Sequence, residues 1–450
     1  MNLGVLLSWT FLWIFCITIP MTSGEMKLIL VQTVWRHGIR APEVIYPNSK
    51  YQKDFYYPGP GELTSQGMQE HVNLSRKLKN RYAVQNKLIS KRYRSSEVYI
   101  RSWDSNKTIT SAISHFAAFY FGEGIPAVDY PYDYIWPGLF TPVPVHVVPK
   151  EKDYLLDGDA CTYGFKLTEL AYQTDEYLAF LNESQTLFSY LNKYSGKTCL
   201  TRAECLQVCD TIVTEIDLRL LVEKWATDIY PVCTQFMSDH FSFSMGFGVS
   251  PVNGYNLRTE IPKVKGGPLL WEIISRMQRK YENFIDSKRN DYLTDLKYYV
   301  YSGQDISLGA LFTVLDFEHT DFDKDVTPGT SNAITFELWI NDNLEPVVKV
   351  LYWRRDELTY IDLSTKIHGC KYTSAGCSLS NFATRAEKYR PPEDMDVATV
   401  ENPGNTDLEL FPNLPNIDDT NYRGTLEALV KYFTEQAEFY ASMLRQLNGE

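Results

Sequence analysis

The sequence predicts an α/β protein, a mixed sheet sandwiched by helices, with an inserted, mostly helical cap lobe. Three observations carry this. Apolar runs of strand length are followed three times by a polar loop and an amphipathic helix. Two alternating segments, ITFELWI and VVKVLYW, lie on either side of the turn NDNLEP and read as an antiparallel hairpin added to the sheet. Between them and the early strands, from about Pro142 to Lys263, the composition turns to Tyr-rich, Cys-containing helical segments such as DTIVTEIDLRLLVEKWATDIY.

The chain has 450 residues, 44% of them hydrophobic, enough for a substantial core and for two or three domain-sized units. Its formal net charge of -12 argues against a nucleic-acid partner, because counterion release needs a surplus of Lys and Arg on the binding face. A local cationic pocket is compatible with that balance.

Residues 1–24 hold an uncharged apolar run from Val5 to Ile19, followed by Thr22, Ser23 and Gly24. This reads as a secretory signal peptide cut near Gly24; an uncleaved signal anchor is the rival reading, and the run is short for a membrane span. The expected location of the mature chain is secreted or in a lysosomal or other extracytoplasmic lumen, with no membrane attachment after signal cleavage.

LILVQTVW, from Leu28, is the first strand. GPGELTSQGMQEHVNLSRKLKNRY opens with turn residues and predicts a helix capped by Thr64 or Ser65. A second strand at Val98–Ile100 precedes a helix with Ile113, Phe116, Ala117 and Tyr120 on its apolar side. LLWEIISRMQRKYENF predicts a long amphipathic helix leading into a third strand, loop and helix, DLKYYVYSGQDISLGALFTVLDF. The expected organisation is an α/β core from 25–141 and 264–390 and a helical lobe over 142–263. An acidic Pro-rich linker over 391–420 and an amphipathic helix over 421–450 complete it. The final helix carries an apolar stripe from Leu426 to Leu447, expected to dock on the protein's own body, with a homodimer contact as the alternative.

Seven cysteines remain after signal removal: Cys161, Cys199, Cys205, Cys209, Cys233, Cys370 and Cys377. In an oxidising compartment they predict up to three disulfides and a spare thiol. A zinc site at Cys199, Cys205, Cys209 and Cys233 is the rival, but its spacing matches no familiar set. Three glycosylation sequons occur at Asn73, Asn106 and Asn182. A glycan at Asn106 would crowd its neighbour Lys107, and the favoured reading is that this sequon is unused. The histidines at 71, 115, 146, 240, 319 and 368 show no partner pattern and are expected in structural or surface roles. Neither a G-x-G-x-x-G loop after a strand nor a G-x-S-x-G elbow is present.

At the end of the first strand stand Arg36, His37 and Arg40. Cations at a buried strand end need an anion to offset their desolvation, and guanidinium forks match phosphate or carboxylate oxygens bidentately. In open α/β sheets ligands bind beyond the carboxyl ends of the strands. The loops at Arg36, at Arg101–Lys107 and at Gln304 all fall at such ends, so one pocket is expected to contain them.

RHGIRAP, from Arg36 to Pro42, follows the pattern R-H-G-x-R-x-P, and here the chain resembles the histidine acid phosphatase family. ELTSQGM, EVYIRSWDSNKT, PVHVVP, YSGQDISL and the closing pair Cys370 and Cys377 occur in the family's order, over roughly Lys27 to Asn381. The resemblance implies hydrolysis of phosphate monoesters to alcohol and inorganic phosphate through a phosphohistidine on His37. Asp305 would donate a proton to the leaving alcohol, and Arg36, Arg40, Lys107 and Gln304 would bind the phosphate. It also implies a disulfide between Cys370 and Cys377 and a small-molecule phosphomonoester as partner, and it requires no metal or cofactor.

Two positions depart from the pattern. Lys107 stands where the resemblance places an arginine, in RSWDSNKT, whose earlier Arg101 matches. Gln304 stands where it places a histidine. Lysine keeps the charge without the planar fork; glutamine donates a hydrogen bond without charge. Losing one transition-state donor costs about a hundredfold in rate, and two independent losses up to about 10^4-fold. A phosphatase-derived protein that binds phosphate or phosphorylated ligands without efficient turnover is therefore the alternative reading. Ile39 departs more mildly, where a polar residue is common. Acid conditions suit the scheme: neighbouring cations keep His37 neutral, while Asp305 needs its proton.

Overall fold

Lys27–Arg36 form β1, the strand on which the rest of the fold is hung. The protein is described by a computed structural model over residues 26–391, apart from 200, 253, 287, 290, 318–326, 371, 374 and 375. The signal segment, the acidic linker and the C-terminal helix lie outside the described residues, as does His319.

β1 is central because it is apolar on both sides. Leu30 and Val34 enter one core and Val31 and Trp35 the other, all fully buried. β2 (Val98–Trp103), β3 (His146–Val148), β4 (Tyr298–Gly303), β5 (Ala333–Ile340), β6 (Pro346–Trp353), β7 (Ile361–Asp362), β8 (Tyr372–Thr373) and β9 (Gly376–Ser378) complete one mixed sheet. Its order is β3-β2-β4-β1-β5-β6-β9-β8, with β7 on β6. β1 runs parallel to β4 and antiparallel to β5, so the change of direction falls at β1 itself.

Helices α1 (Ser65–Lys79) and α2 (Asn106–Phe119) cover one face. Helices α3 (Thr162–Ala171), α4 (Asp175–Glu183), α5 (Gln185–Ser195), α6 (Arg202–Asp217) and α7 (Lys224–Ser244) follow β3 in the chain. α5, α6 and α7 enclose a separate core of Leu187, Leu191, Cys205, Ile212 and Phe236. Then come α8 (Leu257–Lys265), α9 (Gly267–Ile285), α10 (Tyr292–Asp295), α11 (Asp305–Leu315) and α12 (Leu379–Ala386). α9, α11 and α12 pack on the second face of the sheet. This is the helix-sandwiched mixed sheet with a helical lobe that the alternation of periods predicts.

Thr64 caps α1, its hydroxyl accepting from the Gly67 amide. The β5–β6 hairpin is buried on both faces, because helices cover both sides of the sheet. Ile334, Phe336, Leu338 and Ile340 join one core, and Ala333 and Trp339 pack with the other. Glu337 is enclosed with them, a carboxylate in a strand interior. It is held by Arg81 at 2.5 and 2.9 Å, by the Tyr82 hydroxyl at 2.8 Å and by the Trp339 indole at 2.8 Å.

α2 follows the predicted face in part. Phe116 and, just past the helix end, Tyr120 are buried as expected, together with Ala112, His115 and Phe119, whereas Ile113 is 44% exposed and Ala117 lies to the side. The helix is rotated so that His115 stacks on Trp35, with ring centroids 4.4 Å apart. Neither ring nitrogen of His115 has a hydrogen-bond partner among the described residues, and burial drives its pKa well below the ordinary histidine value. Because the unfolded chain binds a proton near pH 6.5 that the folded ring refuses, this residue's contribution falls by about 1.4 kcal/mol per pH unit as pH drops below that value. His115→Phe is therefore expected to leave stability at pH 7 equal or higher and to flatten its fall between about pH 6 and 4. Urea denaturation across that range measures both.

Two disulfides are present among the described residues, Cys209–Cys233 between α6 and α7, and Cys370–Cys377. The first uses two of the four sulfurs of the rival zinc set, which removes that reading. Cys199 and Cys205 are buried thiols in hydrogen-bond contact with each other. His240 is clasped by the hydroxyls of Tyr172 and Tyr177 at 3.3 and 2.9 Å, and His146 stacks on Tyr99 at 4.6 Å, both structural roles. No helix among the described residues is long and apolar enough to cross a membrane.

Candidate active site

Arg36 ends β1 opposite Gly303, the last residue of β4. The two strand ends thus deliver Arg36 and His37 beside Gln304 and Asp305 at the start of α11. The His37 amide donates to the Gly303 carbonyl at 3.0 Å, and its own carbonyl accepts from the Ser331 amide at 3.1 Å. Beyond it the loop is pressed onto helix α1. A Cβ on Gly38 would lie 2.4 Å from the Gly67 carbonyl oxygen, and one on Gly67 only 2.3 Å from that of Ile39, so both positions need glycine. The Gly38 amide donates to Ser111 Oγ at 3.1 Å and the Ile39 amide to Glu70 Oε2 at 3.0 Å.

His37 is only 3% exposed. Its Nδ1 lies 2.7 Å from the Gly38 carbonyl oxygen. A carbonyl only accepts, so Nδ1 carries the hydrogen and Nε2 keeps its lone pair in the neutral ring. Burial, then the charges of Arg36, Lys107 and Arg40, hold the imidazole pKa well below its ordinary value; the Gly38 contact opposes them. The ring is thus neutral in mild acid.

Arg36 donates to the Pro328 carbonyl at 2.7 Å and pairs with Asp305 Oδ2 at 3.0 Å. Burial raises the Asp305 pKa, but the Arg36 charge, the Ile306 amide and the Arg40 charge outweigh it, and the net shift is downward. In the ligand-free site Asp305 is therefore a carboxylate, where the chemistry implied by the sequence needs an acid. An anion that engaged Arg36 and added negative charge beside the carboxylate would move that pKa up.

Arg40 and Lys107 reach the same site and also carry partners. Arg40 forms a two-point fork with Asp210 of α6, at 2.9 and 3.1 Å. Lys107, in the first turn of α2, donates to Glu43 at 2.6 Å, and Glu43 also lies 3.5 Å from Arg40 Nε. Arg101 turns aside to the buried Asp153, at 2.5 Å. Gln304 precedes α11 as its cap residue, its amide donating to Ser307 Oγ at 3.2 Å. Ile39 is buried in the packing between loop and helix.

The structure thus gathers Arg36, His37, Arg40, Lys107 and Asp305, with Gln304 adjoining Asp305. Cys370 and Cys377 are bonded to each other elsewhere. Asn73, Asn106 and Asn182 are exposed, and Asn106 donates to Glu62 at 2.9 Å beside Lys107. Sequence reasoning missed Asp210, Glu43, Glu70 and Ser111. Glu43 directly follows the RHGIRAP motif and was open to notice there; Asp210 lies 170 residues from Arg40 and gave no signal.

Fold and site together define an α/β protein with a cationic, histidine-bearing pocket at the carboxyl edge of its sheet. Residues 27–353 match the histidine phosphatase superfamily (branch 2), and the chain belongs to that family. It is 31% identical over 387 residues to a Caenorhabditis elegans protein provisionally named an acid phosphatase, covering 82% of this chain and 87% of that one. It is 28% identical over 398 residues to human lysosomal acid phosphatase, covering 87% and 85%. Among solved structures, the phytase of Citrobacter braakii shares the fold, with a TM-score of 0.57 at 15% identity over 81% of this chain and 98% of that one.

Proposed function

We propose that this protein is an acid phosphatase that hydrolyses phosphate monoesters through a phosphohistidine on His37, in a secreted or lysosomal compartment. The observation that carries the reading is the His37 imidazole. It is neutral, fixed through Nδ1 to Gly38, and presents Nε2 amid Arg36, Arg40 and Lys107.

The substrate phosphate engages the cations, and Nε2 attacks phosphorus in line with the ester oxygen. The P–O bond to the alcohol breaks as the N–P bond forms, and the Asp305 carboxyl gives its proton to the departing oxygen. Water then attacks the phosphohistidine. Asp305, now a carboxylate, takes the water's proton, and inorganic phosphate leaves with the imidazole restored. The alkaline limb of activity follows from loss of the Asp305 proton in the complex, the acid limb from protonation of His37. The similarity to lysosomal acid phosphatases supports the acidic compartment.

The second reading, a phosphate-binding protein with little turnover, draws on Gln304, which brings no charge where a cation would help. Turnover of an aryl phosphomonoester near pH 5 decides between them. Lys107→Arg combined with Gln304→His is expected to raise kcat/KM by about a hundredfold over a native chain that already turns over. A native chain without turnover that gains it in this double variant would establish the binding reading.

A further inference from the structure

Every cation of the pocket is already paired. Arg36 has Asp305, Arg40 has Asp210 and Lys107 has Glu43, three positive groups against three negative. A phosphate dianion entering this neutral set must displace a carboxylate, and the three differ in how firmly they are held. Asp210 is 21% exposed and grips Arg40 through both oxygens. Asp305 is fixed at the start of α11, where it accepts from the Ile306 amide at 2.9 Å. Glu43 is 52% exposed and its ion pairs with Lys107 and Arg40 both use Oε1. Its side chain lies against Gly61, at φ +75°, where an added Cβ would come within 3.3 Å of the Glu43 Cγ.

We infer that Glu43 is an affinity-setting residue, an internal competitor that occupies Lys107 in the free site and yields it to the incoming phosphate. This rests on the phosphate-site reading above and goes beyond it by assigning a role to a residue outside the motif. Binding then includes breaking one ion pair and keeping a displaced carboxylate near the pocket mouth. Both lower affinity for substrate and for product phosphate alike. The effect acts on KM and on product inhibition, while the chemical step at His37 is left to proceed.

The test is calorimetric titration of inorganic phosphate into the full-length protein at about pH 6, in four forms: native, Glu43→Gln, Lys107→Met and the two combined. Glu43→Gln is expected to tighten phosphate binding about tenfold when Lys107 is present and no more than about twofold when it is replaced. Equal affinity of native and Glu43→Gln proteins, or the same gain in both Lys107 backgrounds, would overturn the inference while leaving the phosphate site standing. Failure of all four forms to bind phosphate would overturn both. Thermal melts confirm that the four forms are equally folded, as the half-exposed position of Glu43 predicts.

Discussion

Replacing His37 with alanine is expected to lower turnover of a phosphomonoester by about 10^5-fold, and an acid quench is expected to trap labelled phosphate on the native chain and none on the variant. The size follows from loss of the group assigned to attack phosphorus, which the surrounding cations do not replace. Phosphate binding falls far less, because Arg36, Arg40 and Lys107 remain and a buried ring is lost beside them. A His37→Ala protein that keeps its turnover would remove the phosphohistidine route outright. A native chain that traps phosphate on another residue would do so equally.

Arg81→Ala costs about 3–5 kcal/mol of stability, the typical penalty for stranding one partner of a buried pair. Glu337 is fully enclosed, whereas Arg81 keeps 14% of its side chain exposed, so the carboxylate is the member that suffers. Tyr82 and Trp339 still donate to it, but neither neutralises its charge. Urea denaturation at pH 7 reads the loss. Pairing Arg81→Met with Glu337→Gln is expected to restore much of the stability, because the isolated charge is then gone.

Much of the fold was legible because its signals are local. Strand length and apolar content in LILVQTVW and YYVYSG, the Thr64 cap and the alternation in ITFELWI each report on neighbouring residues. The grouping of Arg36, His37 and Arg40 at a strand end was legible for a similar reason, since the three are close in sequence. The face of α2 was legible only in part. A helix with Ala112, Ile113, Phe116, Ala117, Phe119 and Tyr120 offers apolar residues over a broad arc. Contact with Trp35, far off in the chain, selected the side bearing His115. The carboxylate counterweights were hidden likewise, because Asp210 meets Arg40 only once the lobe is folded against the core. Asp305 itself was located from the motif, yet its ionised state in the empty site depends on the Arg36 contact, which no local pattern announces.

The fork between Arg40 and Asp210 joins two architectures that answer to different constraints. His37 and Asp305 follow adjacent strand ends, where the β1–β4 register fixes them together. Asp210 arrives on α6, immediately after Cys209, whose bridge to Cys233 fastens that helix to its neighbour. Substitutions among the lobe helices can therefore reach the carboxylate partner of Arg40 without altering the strand register that holds His37 beside Asp305.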